Sequence, residues 1–541
     1  MEKLNIVSTK EEQKALLPVE TQSAVVSIPK TLETPLLNKV RQKFEITGLV
    51  SLLFGGFFAL SFYKAEAGIN IIFFTVVMLG LLGYVMRQYE LPMKRGTYFY
   101  YLGSLLAGLS SALTASDTLQ LMNLVLSICL LNLSLLHQLH WKKSWDVLDY
   151  LKKMFGMLFL GFASIAMPFI DGLNFLRRTR VFKSEKGRNI FVGILISLPL
   201  LWVIIALLSQ ADMIFGDMTK EVTELIFSEE IIVITFMVLF GFFSCYLILC
   251  GAAAQTGKEE KLRRKGASQI AVTVILLITL LYIMFCILQL VYLFSNGLFA
   301  LPEGYTFAEY ARRGFFELLA IAIINVVLML ITTAYFEESP FLRVLLTLMT
   351  ICTYIMIGSA TYRMLLYIGA YHLTFLGVFV LLALVVISLV LAGVILSVYR
   401  KSFPLFQYSV GVITLCYLAF SLAKPDYYIA AYLEEHKPVL SVEDAAFMVQ
   451  ELSLDAVPVV LPLLSDNSRW SEEDKTNTEA PSTYVSYEGD RMVAYETLDY
   501  YNATYYNMIQ QENKERDIRD YNFSLAKARS LSLRLPIQYQ K

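Results

Sequence analysis

The chain lacks most features that mark a soluble enzyme or a disulfide-stabilised protein. Only four histidines and six cysteines occur in 541 residues, and there is no Cys-x-x-Cys pair. All six cysteines fall inside apolar runs, so neither a disulfide framework nor a thiolate metal site is indicated. The motifs GxSxG, HExxH and Walker A are also missing, which weakens an enzyme assignment without excluding it. We expect no cofactor, no metal site and no catalytic residue.

Charged residues are also scarce: they make up 17% of the chain, whereas hydrophobic residues make up 56%. Long apolar runs fill residues 46–422, and about 20 apolar residues of helix cross a bilayer. The run Ile231–Ala254, for example, carries no charge. The predicted fold class is therefore an all-α polytopic integral membrane protein. Its main partner is the lipid bilayer, and nothing indicates nucleic-acid binding.

Eleven apolar stretches are candidate membrane spans. They are residues 46–63, 69–86, 97–113, 118–136, 191–208, 231–254, 269–294, 315–334, 341–360, 373–399 and 404–422. Lys and Arg concentrate in the loops at 87–96 and 255–268, whereas the loop at 209–230 is acidic. Because basic residues are retained in the cytosol, this pattern predicts a cytosolic N-terminus and an extracytoplasmic C-terminal tail.

A twelfth stretch, Met154–Ile170, has basic clusters on both sides. A true span would place one of these clusters outside, which conflicts with the other loops. An interfacial or re-entrant segment keeps both clusters in the cytosol, so 11 spans are favoured. A 12-span chain with a cytosolic tail is the alternative.

Five segments follow from composition. Residues 1–40 read as a disordered cytosolic leader, 41–422 as the transmembrane domain and 423–464 as a helical membrane-proximal segment. Residues 465–482 read as a linker and 483–541 as a helical, Tyr-rich tail. Residues 423–541 hold 20 acidic and 12 basic residues, a net charge of −8. An extracytoplasmic protein or the cell wall is a possible partner for them.

Polar groups near the membrane form one candidate network. Thr306 and Glu309 have the spacing of a capping box, so a helix is expected to begin there. Four-residue spacing then places Glu309, Arg313 and Glu317 on one helix face. The complete network is Glu309, Arg312, Arg313, Glu317, Asn325, Arg363 and Asp212.

The network has two interpretations. Intramembrane polar groups can line a solute or ion pathway, with Glu317 binding a cation or proton. Alternatively, mutually compensating charges near the interface fix helix registry, and the second interpretation is favoured. His137 and His140 have a spacing that could bind zinc, but residues of the interfacial belt are the simpler interpretation.

A family resemblance rests on four segments. The stretch GYTFAEYARRGFFELLAIAIIN at 304–325 resembles the hallmark of a bacterial multi-pass family known as domain of unknown function 4173, a relative of 4153. Residues 207–215, 362–367 and 425–432, the last with 452–458 downstream, also resemble that family, although His372-Leu-Thr replaces its Gly-Leu-Thr and basic residue. The resemblance implies a bacterial, Gram-positive plasma membrane and carries no activity with it.

Three functions therefore remain open. The favoured one is a non-enzymatic cell-envelope or signalling component whose tail contacts a partner. A transporter or permease that uses the region around Glu317 is the alternative. A membrane-embedded transferase is the third.

Overall fold

The computed structural model describes most of the chain. The described residues are 34–140, 147–178, 228–255, 265–294, 315–370, 372–470, 483–488, 491–496, 498–514 and 516–533, with scattered positions between 189 and 215.

The body of the protein is a helix bundle, which confirms the all-α fold class. Its helices are α1 (Pro35–Gln42), α2 (Phe44–Phe62), α3 (Ile69–Gln88), α4 (Thr97–Leu113), α5 (Asp117–His140), α6 (Val147–Ala163), α7 (Met167–Arg178), α8 (Glu229–Ala254), α9 (Ser268–Phe294), α10 (Phe315–Tyr335), α11 (Pro340–Ala370), α12 (Phe375–Tyr399) and α13 (Leu405–Ala423). Nine helices of the described chain are long and apolar enough to cross a membrane, or up to eleven if each of two bent pairs is one span.

The bundle has two ends, which we name by what they carry. The tail face holds the C-terminal residues together with the α2–α3, α4–α5 and α11–α12 loops. The basic face lies at the other end. It carries Lys39, Arg41, Lys43, Arg87, Lys94, Arg95, Lys152, Lys153, Arg177, Arg178, Lys265, Arg343, Arg400 and Lys401.

Ten helices of the described chain run between these faces. They are α2 to α5 and α8 to α13; α4, with 17 residues, is the shortest of them. Arg178 lies on the basic face, and Glu230, which pairs with Lys64, lies on the tail face. Between them, the scattered positions described from 189 to 211 are helical.

The bent pair α6–α7 begins and ends on the basic face. Lys152 of α6 donates to Tyr335 at the end of α10, and Gln255 donates to the Lys153 carbonyl. The two helices meet at a 55° bend. Arg178, the last residue of α7, donates to the Gln42 carbonyl beside α1. The pair therefore does not cross the bundle, in agreement with the prediction that Met154–Ile170 is an interfacial or re-entrant segment.

Glycines allow the closest helix contacts. A Cβ on Gly55 of α2 would lie 2.2 Å from the Val238 carbonyl oxygen of α8. A Cβ on Gly251 would lie 2.1 Å from the Met157 carbonyl oxygen of α6. Such close backbone approach through small residues is how membrane helices gain packing energy.

The C-terminal residues form a tail domain on the tail face. Its helices are α14 (Pro425–His436), α15 (Val442–Gln450), α16 (Val457–Ser465), α17 (Leu498–Lys514) and α18 (Phe523–Ser532). One core unites them, with Trp470, Tyr501 and Tyr505 among its buried side chains. Leu373 and Phe375 of the bundle pack against that core, so the domain is continuous with the membrane body.

The structure corrects three predicted boundaries. The leader was predicted to be disordered to residue 40, but α1 begins at Pro35, with the Thr34 side chain as its N-cap. The linker was predicted to start at 465, but Trp470 is buried and its indole donates to the Leu463 carbonyl at 2.9 Å. The tail was predicted to be helical from 483.

Instead, a hairpin precedes α17. Its strands are β1 (Thr483–Glu488) and β2 (Arg491–Glu496), paired antiparallel from Thr483–Glu496 to Glu488–Arg491. Aromatic and β-branched residues such as Tyr484 and Val485 favour strands. Gly489 and Asp490 lie between the strands in the sequence, and glycine suits a two-residue hairpin turn.

Candidate functional site

The structure separates the predicted polar network. Glu309, Arg312 and Arg313 lie outside the described residues. Glu317 is exposed in the first turn of α10. Asp212 is also exposed and accepts from the Phe215 backbone N–H at 2.8 Å.

Asn325 lies at the centre of a buried hydrogen-bonded triad. The Tyr282 hydroxyl of α9 donates to the Asn325 side-chain oxygen at 2.8 Å, and the Asn325 amide donates to the Thr353 hydroxyl of α11 at 2.9 Å. Asn325 thus uses both ends of its amide on direct contacts with two neighbouring helices, which fixes the registry of α9, α10 and α11.

Arg363 is buried nearer the tail face. Its guanidinium donates to the Gln289 side-chain oxygen at 3.3 Å, and Ser359 donates to the same oxygen at 2.8 Å. The arrangement links α9 to α11 a second time.

His137 and His140, the histidines with the spacing of a zinc site, lie inside the bundle near the basic face. His140 Nε2 is 2.8 Å from the Ala252 carbonyl oxygen, and the His137 ring contacts Tyr100. Among the described residues, no group of three or more His, Cys, Asp or Glu side chains is arranged to hold a metal ion.

A denser polar cluster joins the tail domain to the bundle, and we call it the junction. Asp455 is buried and accepts hydrogen bonds from Thr114 of the α4–α5 loop and Ser524 of α18. Lys424 lies 3.4 Å from the same carboxylate. Asn522 donates to the Thr114 carbonyl at 2.7 Å. One carboxylate therefore connects the last membrane helix, an early loop and the last helix of the chain.

Asp426 forms the second part of the junction. One of its oxygens accepts from the Ser453 backbone N–H at 3.2 Å and from the Ser453 hydroxyl at 2.5 Å. Burial raises the pKa of Asp426, and the hydrogen bonds from Ser453 oppose that shift. Lys424, just before it, has a positive φ of 57°, which turns the chain sharply from α13 into α14.

A third contact pins the α11–α12 loop. His372 Nε2 lies 2.7 Å from Asp444, and the Lys437 ammonium lies 2.7 Å from the same carboxylate. Ser441 and Asp444 also form a capping box at the start of α15. Burial alone would raise the pKa of Asp444, but the bonds from His372, Lys437 and Ser441 lower it to about 2.

The α2–α3 loop contacts residues 516–521 of the tail domain. Arg516 pairs with Glu66 at 2.5 Å, and the Ile69 backbone N–H donates to the Tyr521 carbonyl at 3.0 Å. A Cβ on Gly68 would lie 2.5 Å from the Asp520 carbonyl oxygen, so only glycine fits this approach.

Sequence reasoning did not identify the junction residues as a site. Asp426 and Asp455 belong to the resemblance segments 425–432 and 452–458, and this was the available signal. The sequence could not show that Thr114 meets them, because the contact is long-range.

One protein family matches the part of the chain that contains the junction. A family profile described as a domain of unknown function (DUF4153) matches residues 101–463, which run from α4 to α16 and include Thr114, Asp426 and Asp455. The chain belongs to the DUF4153 family. The resemblance to family 4173 is not confirmed, whereas its relative is found. No curated protein and no solved structure matches the chain.

Proposed function

We propose that this DUF4153 protein is a non-enzymatic component of a bacterial cell envelope. In this proposal the bundle holds the tail domain outside the cytosol, and a partner binds that domain. The observation that carries it is the junction, where Asp455 joins Thr114 of the bundle to Ser524 of the tail domain. A clamp built from buried hydrogen bonds favours a fixed platform over a freely tethered module.

Charge asymmetry supports the proposed orientation. Lys and Arg outnumber Asp and Glu on the basic face, whereas the bundle loops of the tail face carry Glu66, Asp117, Glu229 and Glu230 against Lys64. Basic loops are retained in the cytosol, so the tail face would be extracytoplasmic.

The tail domain also exposes residues suited to recognition. Tyr428, Val439 and Tyr500 are large side chains with about half of their surface accessible. Tyrosine is enriched in interfaces because its ring adds apolar area and its hydroxyl forms hydrogen bonds. A protein or cell-wall glycan is the partner class that fits.

Transport through the Glu317 region has weaker support. A pathway needs polar groups that can exchange partners, whereas Asn325 is committed to Tyr282 and Thr353. The transferase alternative needs a carboxylate and a histidine together in a groove. His137 and His140 instead lie close to Tyr100 and Ala252. His372 does contact a carboxylate, but Asp444 is buried and also engaged by Lys437 and Ser441 at the start of α15, so this pair serves a structural contact.

Photocrosslinking in intact cells tests the proposal. A photoreactive amino acid would replace Tyr500 or Val439 in the tail domain, with Leu277 on the exposed surface of α9 as the matched control. We expect discrete adducts from the tail positions and only lipid adducts from position 277. The absence of tail adducts, together with solute uptake that depends on Glu317, would contradict the proposal and favour transport.

A further inference from the structure

We infer that the basic face carries a binding site for the headgroup of an anionic phospholipid, in the cavity between α1, the start of α2, and α7. The cavity has a volume of about 500 Å³, within the usual range for small-molecule sites. Its polar wall is formed by Asn38, Arg41, Gln42, Glu45, Asp171, Asn174 and Arg178. The site is independent of the tail domain and of the proposed partner.

Arg41 is held in one orientation by a buried carboxylate. Its Nε and Nη2 atoms donate to Asp171 at 3.1 and 2.9 Å, and the Tyr246 hydroxyl donates to the other Asp171 oxygen at 2.9 Å. Asp171 is only 4% exposed, so the Arg41 guanidinium is held by a carboxylate in the protein interior. A guanidinium oriented in this way loses little entropy when it binds a second anion.

The same guanidinium keeps donors for a ligand. Within the described residues, Arg41 donates through Nε and Nη2 to Asp171 alone, and its Nη1 group has no such contact. Arginine presents five N–H donors in a planar fork that matches phosphate oxygens. The N–H groups of Nη1 can therefore donate hydrogen bonds to a phosphate at the cavity wall.

Arg178 supplies the second cation. It is exposed at the end of α7, and its Nη1 donates to the Gln42 carbonyl at 3.5 Å, the long limit of a hydrogen bond. Such a contact is easily exchanged for a charge-assisted one with phosphate. The exposed amides of Asn38 and Asn174 line the same cavity.

Charge around the cavity favours an anion. Inside it, Arg41 offsets Asp171, and Arg178 offsets Glu45. Lys39 of α1, Lys43 between α1 and α2, and Arg177 of α7 add an excess of positive charge next to it. Basic pockets between membrane helices at an interface are the usual receptors for anionic lipid headgroups.

The neighbouring surface favours a lipid over a free phosphate. Phe169 and Leu173 of α7, about two and a half and one and a half turns before Arg178, are more than half exposed. Phe159 and Phe162 of α6 are exposed by 70% or more. Helix α7 thus presents apolar side chains where acyl chains lie and an arginine where a headgroup phosphate lies.

Lipid binding to the purified full-length protein tests the inference. Phosphatidylglycerol or phosphatidylcholine would be titrated into the detergent-solubilised protein, and bound lipid counted by native mass spectrometry. The variant is Arg178→Gln, which leaves the Arg41–Asp171 pair intact. The control is Arg400→Gln, which removes an equal exposed charge on the same face. A parallel arm adds millimolar inorganic phosphate as competitor.

We expect wild type and R400Q to bind phosphatidylglycerol alike and in preference to phosphatidylcholine. R178Q should bind it about tenfold more weakly, because one charge-assisted hydrogen bond is lost. Arg41→Lys, which keeps the charge beside Asp171 but loses the fork, should weaken binding as well. Equal binding by R178Q and R400Q would overturn the site. Displacement of the lipid by inorganic phosphate at similar affinity would overturn the lipid as its ligand.

Discussion

Asp455 accepts a hydrogen bond from the hydroxyl of Thr114, although 341 residues separate them in the chain. The contact brings the α4–α5 loop of the bundle to the 3₁₀ turn Leu454–Ala456 of the tail domain. Ser524 of the tail domain and Lys424 at the end of α13 contact the same carboxylate. The buried Asp455 side chain therefore attaches the tail domain to the bundle.

Asp455→Asn should loosen this attachment. The amide keeps the size of the carboxylate but leaves Lys424 without its buried counter-ion, so we expect a loss of about 2 kcal/mol in stability. The measurement is thermal unfolding of the purified protein, with the rate of proteolysis within residues 471–482 as a second readout. Glu435→Gln, an exposed change on the same domain, is the control and should have no effect. Equal melting temperatures for both variants would show that Asp455 does not stabilise the attachment of the tail domain.

Acid should weaken the contact between the α11–α12 loop and α15. The pKa of Asp444 is lowered from 3.8 to about 2 in the folded protein. A depressed carboxyl pKa contributes stability that is present above pH 4 and is lost as the pH falls toward 2. The contribution is about 2 kcal/mol. Thermal unfolding measured from pH 6 to pH 2 should show this loss, and Asp444→Asn should flatten the profile. A profile unchanged by that variant would show that Asp444 does not cause the loss.

Adjacent glycines in α2 allow a matched packing test. A Cβ on Gly55 would collide with the α8 backbone, whereas one on Gly56 would meet nothing within 4 Å. Gly55→Ala should therefore separate α2 from α8 and cost about 1–3 kcal/mol. Gly56→Ala should be neutral or slightly stabilising, since alanine is the better helix former. Thermal stability in one detergent compares them, and equal values would contradict the close α2–α8 packing.

The bundle was predictable from sequence because apolar run length alone defines a crossing helix. The flanking charges of Met154–Ile170 also predicted that this stretch does not cross, and the contacts of Lys152 and Arg178 place both its ends on one face. The tail domain was harder to predict from the sequence. Its helices are short, so their apolar residues give only a weak helical periodicity. The burial of Trp470 depends on long-range packing, which a local sequence pattern does not encode.

The candidate site was predictable only in part. Asn325 and Arg363 are buried between helices, yet their partners Tyr282 and Gln289 had no distinguishing signal in the sequence. Thr114, Lys424 and Ser524 are ordinary surface residue types, and only the fold makes them neighbours of Asp455.

Asn325→Leu should destabilise the α9–α10–α11 contact. It removes two interhelical hydrogen bonds, each worth about 0.6 kcal/mol on average in membrane proteins, so a loss of about 1–2 kcal/mol is expected. Glu317→Gln, an exposed change on the same helix, should leave stability unchanged. Thermal unfolding compares the two variants. Lost solute uptake in a stable E317Q protein would contradict the registry role and favour a transport pathway.

Topology labelling tests the account most directly. In a version whose six native cysteines are replaced, single cysteines would be placed at Ser468 on the tail domain and at Arg95 on the basic face, both exposed. Intact cells would then be treated with a membrane-impermeant maleimide. The predicted topology of 11 spans with an extracytoplasmic tail requires labelling at position 468 and none at 95 until the cells are lysed. Labelling at 95 alone would place the tail domain in the cytosol and contradict the proposed envelope role.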